Sequence, residues 1–368
     1  MRRIGCPPPC CGKAGRQFVL RDTVELKITL LGALVFAAST LLTGIVRRVA
    51  LSSGLVDVPN SRSSHKQTTA RGGGLSVVFA TTVGVIALAI IGVVSTHLLV
   101  AVTIGGGVVA LVGFLDDRYS VRPGVRFVVH VGAAVWALIW LGGLPPLCFG
   151  DHLIKMGAVG YLIGVLGIVW ALNLFNFMDG IDGIAASEAV FVAGAGALLS
   201  AGGGAGVTDA AAVFACACAG FLIWNWPPAK IFLGDVGSGY LGYLIAVLAL
   251  AATRENPIAL WAWLILGGVF FVDATVALLR RVLRGERVYE AHRSHAYQWL
   301  ARRWSSHSKV TCAVLIVNVL WLLPCAVFAT RRPGLAAATV IFAFAPLVLL
   351  AIAVSGRREA NDRRHRSQ

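Results

Sequence analysis

Charge is what this sequence has least of. Asp, Glu, Lys and Arg make up 13% of its 368 residues, about half the roughly 25% of a soluble globular domain, and that excludes a soluble fold as the body of the chain. Metal-binding spacings are missing too. Cys6, Cys10 and Cys11 sit in the N-terminal tail, and Cys148, Cys216, Cys218, Cys312 and Cys325 are scattered. With no metal-ligand spacing among them and no HExxH, they read as structural or incidental, and no zinc site is expected. The basic N-terminal stretch runs straight into a full-length apolar segment without a small-residue cleavage pattern, which excludes a secretory signal peptide. The DD, DGIDG and GDVGS stretches occur once each, so the chain shows no internal duplication.

What is present is apolar and long. Hydrophobic residues make up 57% of the chain and the mean hydropathy is +0.79. About eleven spans of roughly 17 to 25 residues are expected, starting near Leu26, Leu75, His97, Val125, Met156, Ile184, Val207, Gly239, Ile258, Val310 and Gly334. In lipid the backbone must satisfy its own hydrogen bonds, so the expected fold is an all-α, polytopic membrane helical bundle. It divides into a basic Cys- and Pro-containing tail (1–24), a transmembrane domain (25–356) and a basic C-terminal tail (357–368). The net charge of +15 is not spread as a nucleic-acid patch. Lys and Arg cluster in alternate loops, at Arg47 to Arg71, Arg118 to Arg126, Arg280 to Lys309 and after Gly356. That positive-inside pattern puts these loops in the cytoplasm, with membrane lipid as the surroundings and nucleic acid excluded as a partner. The basic residues of the N-terminal tail, together with Arg331 and Arg332, run against the pattern.

Five polar clusters interrupt the apolar runs, and all fall on the same predicted side. The first, DVPNSRSSHKQTTARGGG from Asp57 to Gly74, sets His65 and Arg71 beside a flexible Gly run, which suits a loop that folds against phosphates. The second is the adjacent pair Asp116 and Asp117 at the end of the third span, followed by Arg126. Such carboxylates are costly to bury without a cation, and neighbours about 100° apart cannot both face one ligand squarely. NLFNFMDGIDG, the third, carries Asn173 and Asn176, then Asp179 and Asp182, each pair three residues apart. In the fourth, NWPPAKIFLGDVGSGYLG, Lys230 precedes Asp235 in a Gly-rich turn before a helix, where a carboxylate holds a hard divalent ion and backbone N–H groups face a phosphate. The fifth holds His292, Arg293 and His295; two His three apart would share a helix face, and without a completing Cys or carboxylate they suit phosphate rather than metal. Asp273, within the ninth span, reads as half of a structural ion pair. Taken singly, each cluster also fits a capped or solvated helix end; five on one side do not.

In that order, from Asp57 to Gln298, the clusters resemble the motifs of the polyprenyl-phosphate N-acetylhexosamine-1-phosphate transferases. The resemblance implies transfer of a sugar-1-phosphate, GlcNAc or a 6-deoxy-HexNAc, from a UDP-sugar to undecaprenyl phosphate, with release of UMP. It also implies a bacterial inner membrane location, an active site facing the cytoplasm, and Mg²⁺ as cofactor with Mn²⁺ as the alternative; a homodimer is left open. By motif position Asp235 and Asn176 resemble metal ligands. Asp116, Asp117, Arg126, His292, Arg293 and His295 resemble catalytic residues, and His65, Arg71, Asn173, Asp179, Asp182 and Lys230 substrate contacts. Three positions depart from the pattern: Ala70 replaces the usual Pro, which loosens that loop; Arg126 stands where many members have Lys; and HRSHAYQ replaces a triple-His form. The last is similar to the branch that starts O-antigen and related glycans. The competing classes are a polytopic transporter of an anionic substrate, which predicts charges mid-membrane on several helices, and a prenyltransferase, which calls for DxxxD sets that DGID matches poorly.

Overall fold

The computed structural model describes residues 11–58, 68–150, 152–200, 206–286 and 295–366, with side chains described for those between 26 and 354. Helices dominate because the apolar runs have no water to satisfy their backbones. In chain order they are α1 (Cys11–Ser53), α2 (Gly74–Ile90), α3 (Thr96–Tyr119), α4 (Pro123–Leu141), α5 (Gly157–Met178), α6 (Ile184–Ser200), α7 (Val207–Asn225) and α8 (Asp235–Glu255). There follow α9 (Ala259–Leu266), α10 (Gly268–Leu283), α11 (Ala296–Trp304), α12 (His307–Arg331) and α13 (Pro333–Val354).

All eleven expected apolar stretches are helical among the described residues. Eight of these helices are long and apolar enough to cross a membrane, and nine are if α9 and α10, bent by 71° at Gly267, count as one crossing. The 17 residues of α2 and of α6 stand at the lower limit of the roughly 17 to 25 that span a hydrocarbon core. Length and composition among the described residues support eight or nine crossings, and the expected count of about eleven is not confirmed.

At the centre stands α8, with 89% of its apolar stretch buried inside the protein against 22% for α1. It packs on α2, α3, α5, α6, α7 and α9. Small residues allow this: a Cβ at Gly113 of α3 would collide with the backbone of Asp235, while Gly239 and Gly242 of α8 lie against Leu172 and Ala171 of α5. Without a hydrophobic force between helices in lipid, such close backbone approach is what holds them. Two bulky side chains fix the register further along: Tyr240 and Tyr243 are fully buried, and the Tyr243 hydroxyl donates to the Ala101 carbonyl at 2.9 Å. Nearer the periphery, the buried Asn318 of α12 donates from Nδ2 to Glu188 Oε2 of α6 at 2.6 Å.

Two short strand pairs mark the ends of the bundle. At the end where α8 begins, β1 (Val56–Asp57) pairs antiparallel with β2 (Thr69–Ala70). Ala70 also bridges to Ile231, and its carbonyl accepts from Phe232 N at 2.8 Å. The loop expected to be loosened at Ala70 is instead pinned there, because the backbone groups of buried Ala70 are shared between two neighbouring segments. At the opposite end, β3 (Leu147–Phe149) and β4 (His152–Ile154) form a hairpin, and Trp261 Nε1 donates to the Cys148 carbonyl at 2.6 Å.

Candidate functional site

The site is assembled where α3 ends and α8 begins. Asp117, the penultimate residue but one of α3, turns its carboxylate onto the start of α8. Its Oδ1 accepts from Asp235 N at 2.9 Å and its Oδ2 from Val236 N at 3.1 Å. These are two of the donors that a helix N-terminus leaves unsatisfied, and the helix dipole favours an anion there. The approach requires glycine at position 234: its φ is +78°, and a Cβ would lie 2.6 Å from Asp117 Oδ2. Asp116, about 100° around the same helix, serves a different set of partners. Its Oδ1 accepts from Val121 N at 2.7 Å and its Oδ2 pairs with Arg126.

Two guanidiniums then bracket Asp235. Arg71 places Nε 2.7 Å from Asp117 Oδ1 and another nitrogen 3.0 Å from Asp235 Oδ1, while Arg126 lies 3.0 Å from Asp235 Oδ2. Burial opposes the charge on Arg71, but Asp117 and Asp235, with Asp57 and Asp179 behind them, outweigh it and hold its pKa above the ordinary value. Asp179, at the C-terminal end of α5, has its pKa raised well above the ordinary carboxylate value. Burial is the main cause, reinforced by Asp235, Asp117 and Asp182 and offset by Arg71. Four carboxyl groups thus stand with two guanidiniums at the positive end of a helix.

Among the described residues no three or more His, Cys, Asp and Glu side chains gather into a ready metal cage. The donor set nevertheless fits a hard cation of the Mg²⁺ kind. Mg²⁺ is ordinarily held by one or two carboxylates plus substrate phosphates rather than by an all-protein cage, and the oxygens on offer suit it. Asn176 is half-buried, and its side chain makes no hydrogen bond among the described residues. It lies one turn beyond Leu172 toward the end of the bundle that holds Asp235, since α5 and α8 run antiparallel through the Gly239–Leu172 contact.

The comparison with known proteins follows the same residues. The family model for glycosyl transferase family 4 matches residues 98–253, a stretch that contains Asp116, Asp117, Arg126, Asn176, Asp179 and Asp235. The probable undecaprenyl-phosphate N-acetylglucosaminyl 1-phosphate transferase of Bacillus subtilis is 30% identical over 82% of this chain and 84% of its own length. The chain belongs to the polyprenyl-phosphate N-acetylhexosamine-1-phosphate transferase family. Two further relatives agree. The decaprenyl-phosphate N-acetylglucosaminephosphotransferase of Mycobacterium tuberculosis is 30% identical over 76% of each chain. The undecaprenyl-phosphate alpha-N-acetylglucosaminyl 1-phosphate transferase of Escherichia coli K12 is 27% identical over 73% of this chain and 75% of its own.

Other motif residues of this transferase family member fall in distinct places. Asn173 bonds back within α5, donating from Nδ2 to the Val169 carbonyl at 2.7 Å. Asp182 separates from Asp179: its Oδ2 accepts from Ala229 N at 3.1 Å, and His307 Nδ1 lies 3.3 Å from its Oδ1. Lys230 stays outside the carboxylate cluster, with Nζ 5.6 Å from the Trp224 ring and its carbonyl accepting from Arg47. His295 is extended (φ −69°, ψ 145°), one residue before α11, so the helix face it was expected to share with position 292 does not reach it. Its ring lies 6.2 Å from that of Phe177 and 5.7 Å from that of Tyr297. His65, His292 and Arg293 lie outside the described residues. Asp273, expected as half of a structural ion pair, accepts from Ala296 N at 2.9 Å and Tyr297 N at 3.1 Å at the start of α11, with His295 Nδ1 at 3.7 Å.

Sequence reasoning did not single out Asn225, Tyr297, His307 or Thr311. Asn225 receives Gly183 N on Oδ1 at 3.1 Å and donates to the Ile231 carbonyl at 3.0 Å, joining the third cluster to the fourth. Its position at the head of NWPPAK was the available signal. His307 and Thr311 offered none, because they lie beyond the last cluster.

Proposed function

We propose that this protein transfers a HexNAc-1-phosphate, GlcNAc or a 6-deoxy-HexNAc, from a UDP-sugar to undecaprenyl phosphate, releasing UMP. On this reading it performs the first membrane step of O-antigen or another cell-surface polysaccharide. The observation that carries the reading is Asp235, poised at the start of α8 between Arg71 and Arg126, in a chain whose relatives are named for this chemistry. The acceptor phosphate oxygen attacks the β-phosphorus in line, the bond to the bridging oxygen breaks, and UMP leaves. The second pKa of a phosphate monoester is about 6, so the attacking dianion is already abundant near neutrality and no covalent enzyme intermediate is needed.

Asp235 and Asn176 would hold Mg²⁺, which screens repulsion between the two anionic reactants. Arg71 and Arg126 would exchange part of their carboxylate pairing for substrate phosphates, for which their forked donors are suited. Asp117 has both oxygens committed to the α8 backbone, so its contribution is to fix Asp235 in place. Asp116, beside Arg126, is the better placed of the two to meet the acceptor phosphate. The site shares its end of the bundle with Arg47, Arg118 and Arg122, and by the positive-inside rule that end is cytoplasmic. The tightly packed α8 fills the centre that a transporter would need for its substrate path.

The test is UMP release by purified protein with undecaprenyl phosphate, Mg²⁺ and a panel of UDP-HexNAc donors. Turnover is expected with at least one donor, and silence with all of them would sink the proposal. The Asp235→Asn variant is expected to lose about 10²- to 10³-fold or more in turnover, the scale of one removed transition-state stabilising group. A rate within threefold of wild type would remove Asp235 from the metal site.

A further inference from the structure

We propose that His307, with Thr311 one turn along α12, is a positioning residue that tethers the Asp182 turn to the loop leading to Asp235. The inference rests on the reading of the carboxylate cluster as the sugar-nucleotide site. Helix α12 opens with a cap, the Ser306 hydroxyl accepting from Lys309 N at 3.3 Å, which aims its first side chain at the turn between α5 and α6. There Asp182 N donates to His307 Nδ1 at 3.4 Å, the same nitrogen stands 3.3 Å from Asp182 Oδ1, and the Thr311 hydroxyl donates to the Asp182 carbonyl at 3.1 Å.

One imidazole nitrogen cannot make both of its contacts at once. Neutral, with the proton on Nε2, it accepts from the Asp182 amide; protonated, it donates to the carboxylate. Either bond holds the same residue in the same place, so the tether survives a change of tautomer. His307 and Asp182 are mostly buried, with side-chain exposures of 17% and 13%.

Asp182 passes the constraint on. Its remaining oxygen accepts from Ala229 N at 3.1 Å, and the adjacent Gly183 N donates to Asn225, which in turn donates to the Ile231 carbonyl. The segment so gripped runs from Asn225 to Ile231, four residues before Asp235. A second grip comes from the same part of the chain, where the Tyr297 hydroxyl donates to the Phe177 carbonyl at 2.9 Å. The stretch from Phe177 to Gly183 is thereby clamped between α11–α12 on one side and the α7–α8 loop on the other. His307 meets this turn at Asp182, and its effect on the site is transmitted through that residue.

The experiment compares the full-length wild type with His307→Ala, His307→Asn and Thr311→Val in detergent, by hydrogen exchange and by initial rates. Loss of one such bond corresponds to up to about a tenfold change. His307→Ala is expected to speed exchange of amides 177–183 by about 5- to 10-fold while leaving 160–170 unchanged. It should also raise the donor KM, or lower kcat, by a similar factor at unchanged acceptor KM. Asn carries an acceptor and a donor at nearly the position of Nδ1, so His307→Asn is expected to recover most of both losses. If His307→Ala does not fold, Thr311→Val, which removes only the bond to the Asp182 carbonyl, should give a smaller rise over the same amides. Unchanged exchange over 177–183 in whichever of the two variants folds, or an Asn variant as impaired as Ala, overturns the tether. A wild type inactive with every donor would refute the transferase reading and leave the exchange result to decide the tether.

Discussion

Asp116 and Asp117 are neighbours in sequence with separate work, because about 100° of helix lies between their side chains. The backbone of α8 takes one and Arg126 takes the other. Asp179 is a carboxyl whose charge the fold opposes, and this makes stability depend on pH. With its folded pKa raised, the folded state binds the proton more tightly than the unfolded state does. Stability contributed by this group is therefore lost as pH rises from the ordinary value near 4 toward the raised one, and it levels off above that. In chelator-treated protein the Asp179→Asn variant should show a flatter melting-temperature profile between pH 5 and 8, and should melt about 2 °C or more above wild type at pH 8. Parallel profiles for the two proteins would show that Asp179 carries no such burden.

At the scale of elements, the site depends on how closely α3 and α8 approach. Replacing Gly113 with Ala puts a methyl group into the backbone of Asp235, and overpacking of this kind costs about 1–3 kcal/mol. Gly113→Ala is thus expected to lower the melting temperature and to reduce turnover by more than tenfold in the fraction that remains folded. A fully active, equally stable variant would mean that the two helices are free to separate. The helices themselves were legible in the sequence, since long apolar runs bounded by Pro, Gly and charge leave few alternatives in lipid. The carboxylates of the cluster were legible too, from their places at helix ends. The grip of β2 on the segment before α8 was not, because it is made of backbone atoms of Ala70 and Phe232 and no side-chain pattern announces it. Nor could spacing separate Asp179 from Asp182; what distinguishes them is contact with α12 and with Ala229, far along the chain.

For the whole molecule, the two ends of α8 lie about 30 Å apart, with the carboxylate cluster at one and the β3–β4 hairpin near the other. If the basic end is cytoplasmic, cysteines introduced into a cysteine-free background as Ser120→Cys and Leu153→Cys should label oppositely. A membrane-impermeant maleimide applied to intact spheroplasts should reach position 153 at once and position 120 only after permeabilisation; the reverse order would invert the topology.

The central position of α8 also bears on how the protein is made. When the ribosome releases this helix, α1 to α7 are already in the bilayer, yet α8 ends up wrapped by α2, α3, α5, α6 and α7. The earlier helices therefore cannot reach their final packing until α8 is present. Until it arrives, Arg71, Asp117 and Arg126 lack the residue that joins them, and the Asp117 carboxylate has no helix to cap. Closure of the ion cluster thus coincides with the filling of the centre that these helices surround. A chain truncated before Asp235 would expose a charged, unfilled groove to the membrane, the kind of defect by which a quality-control protease can tell an unfinished molecule from a finished one.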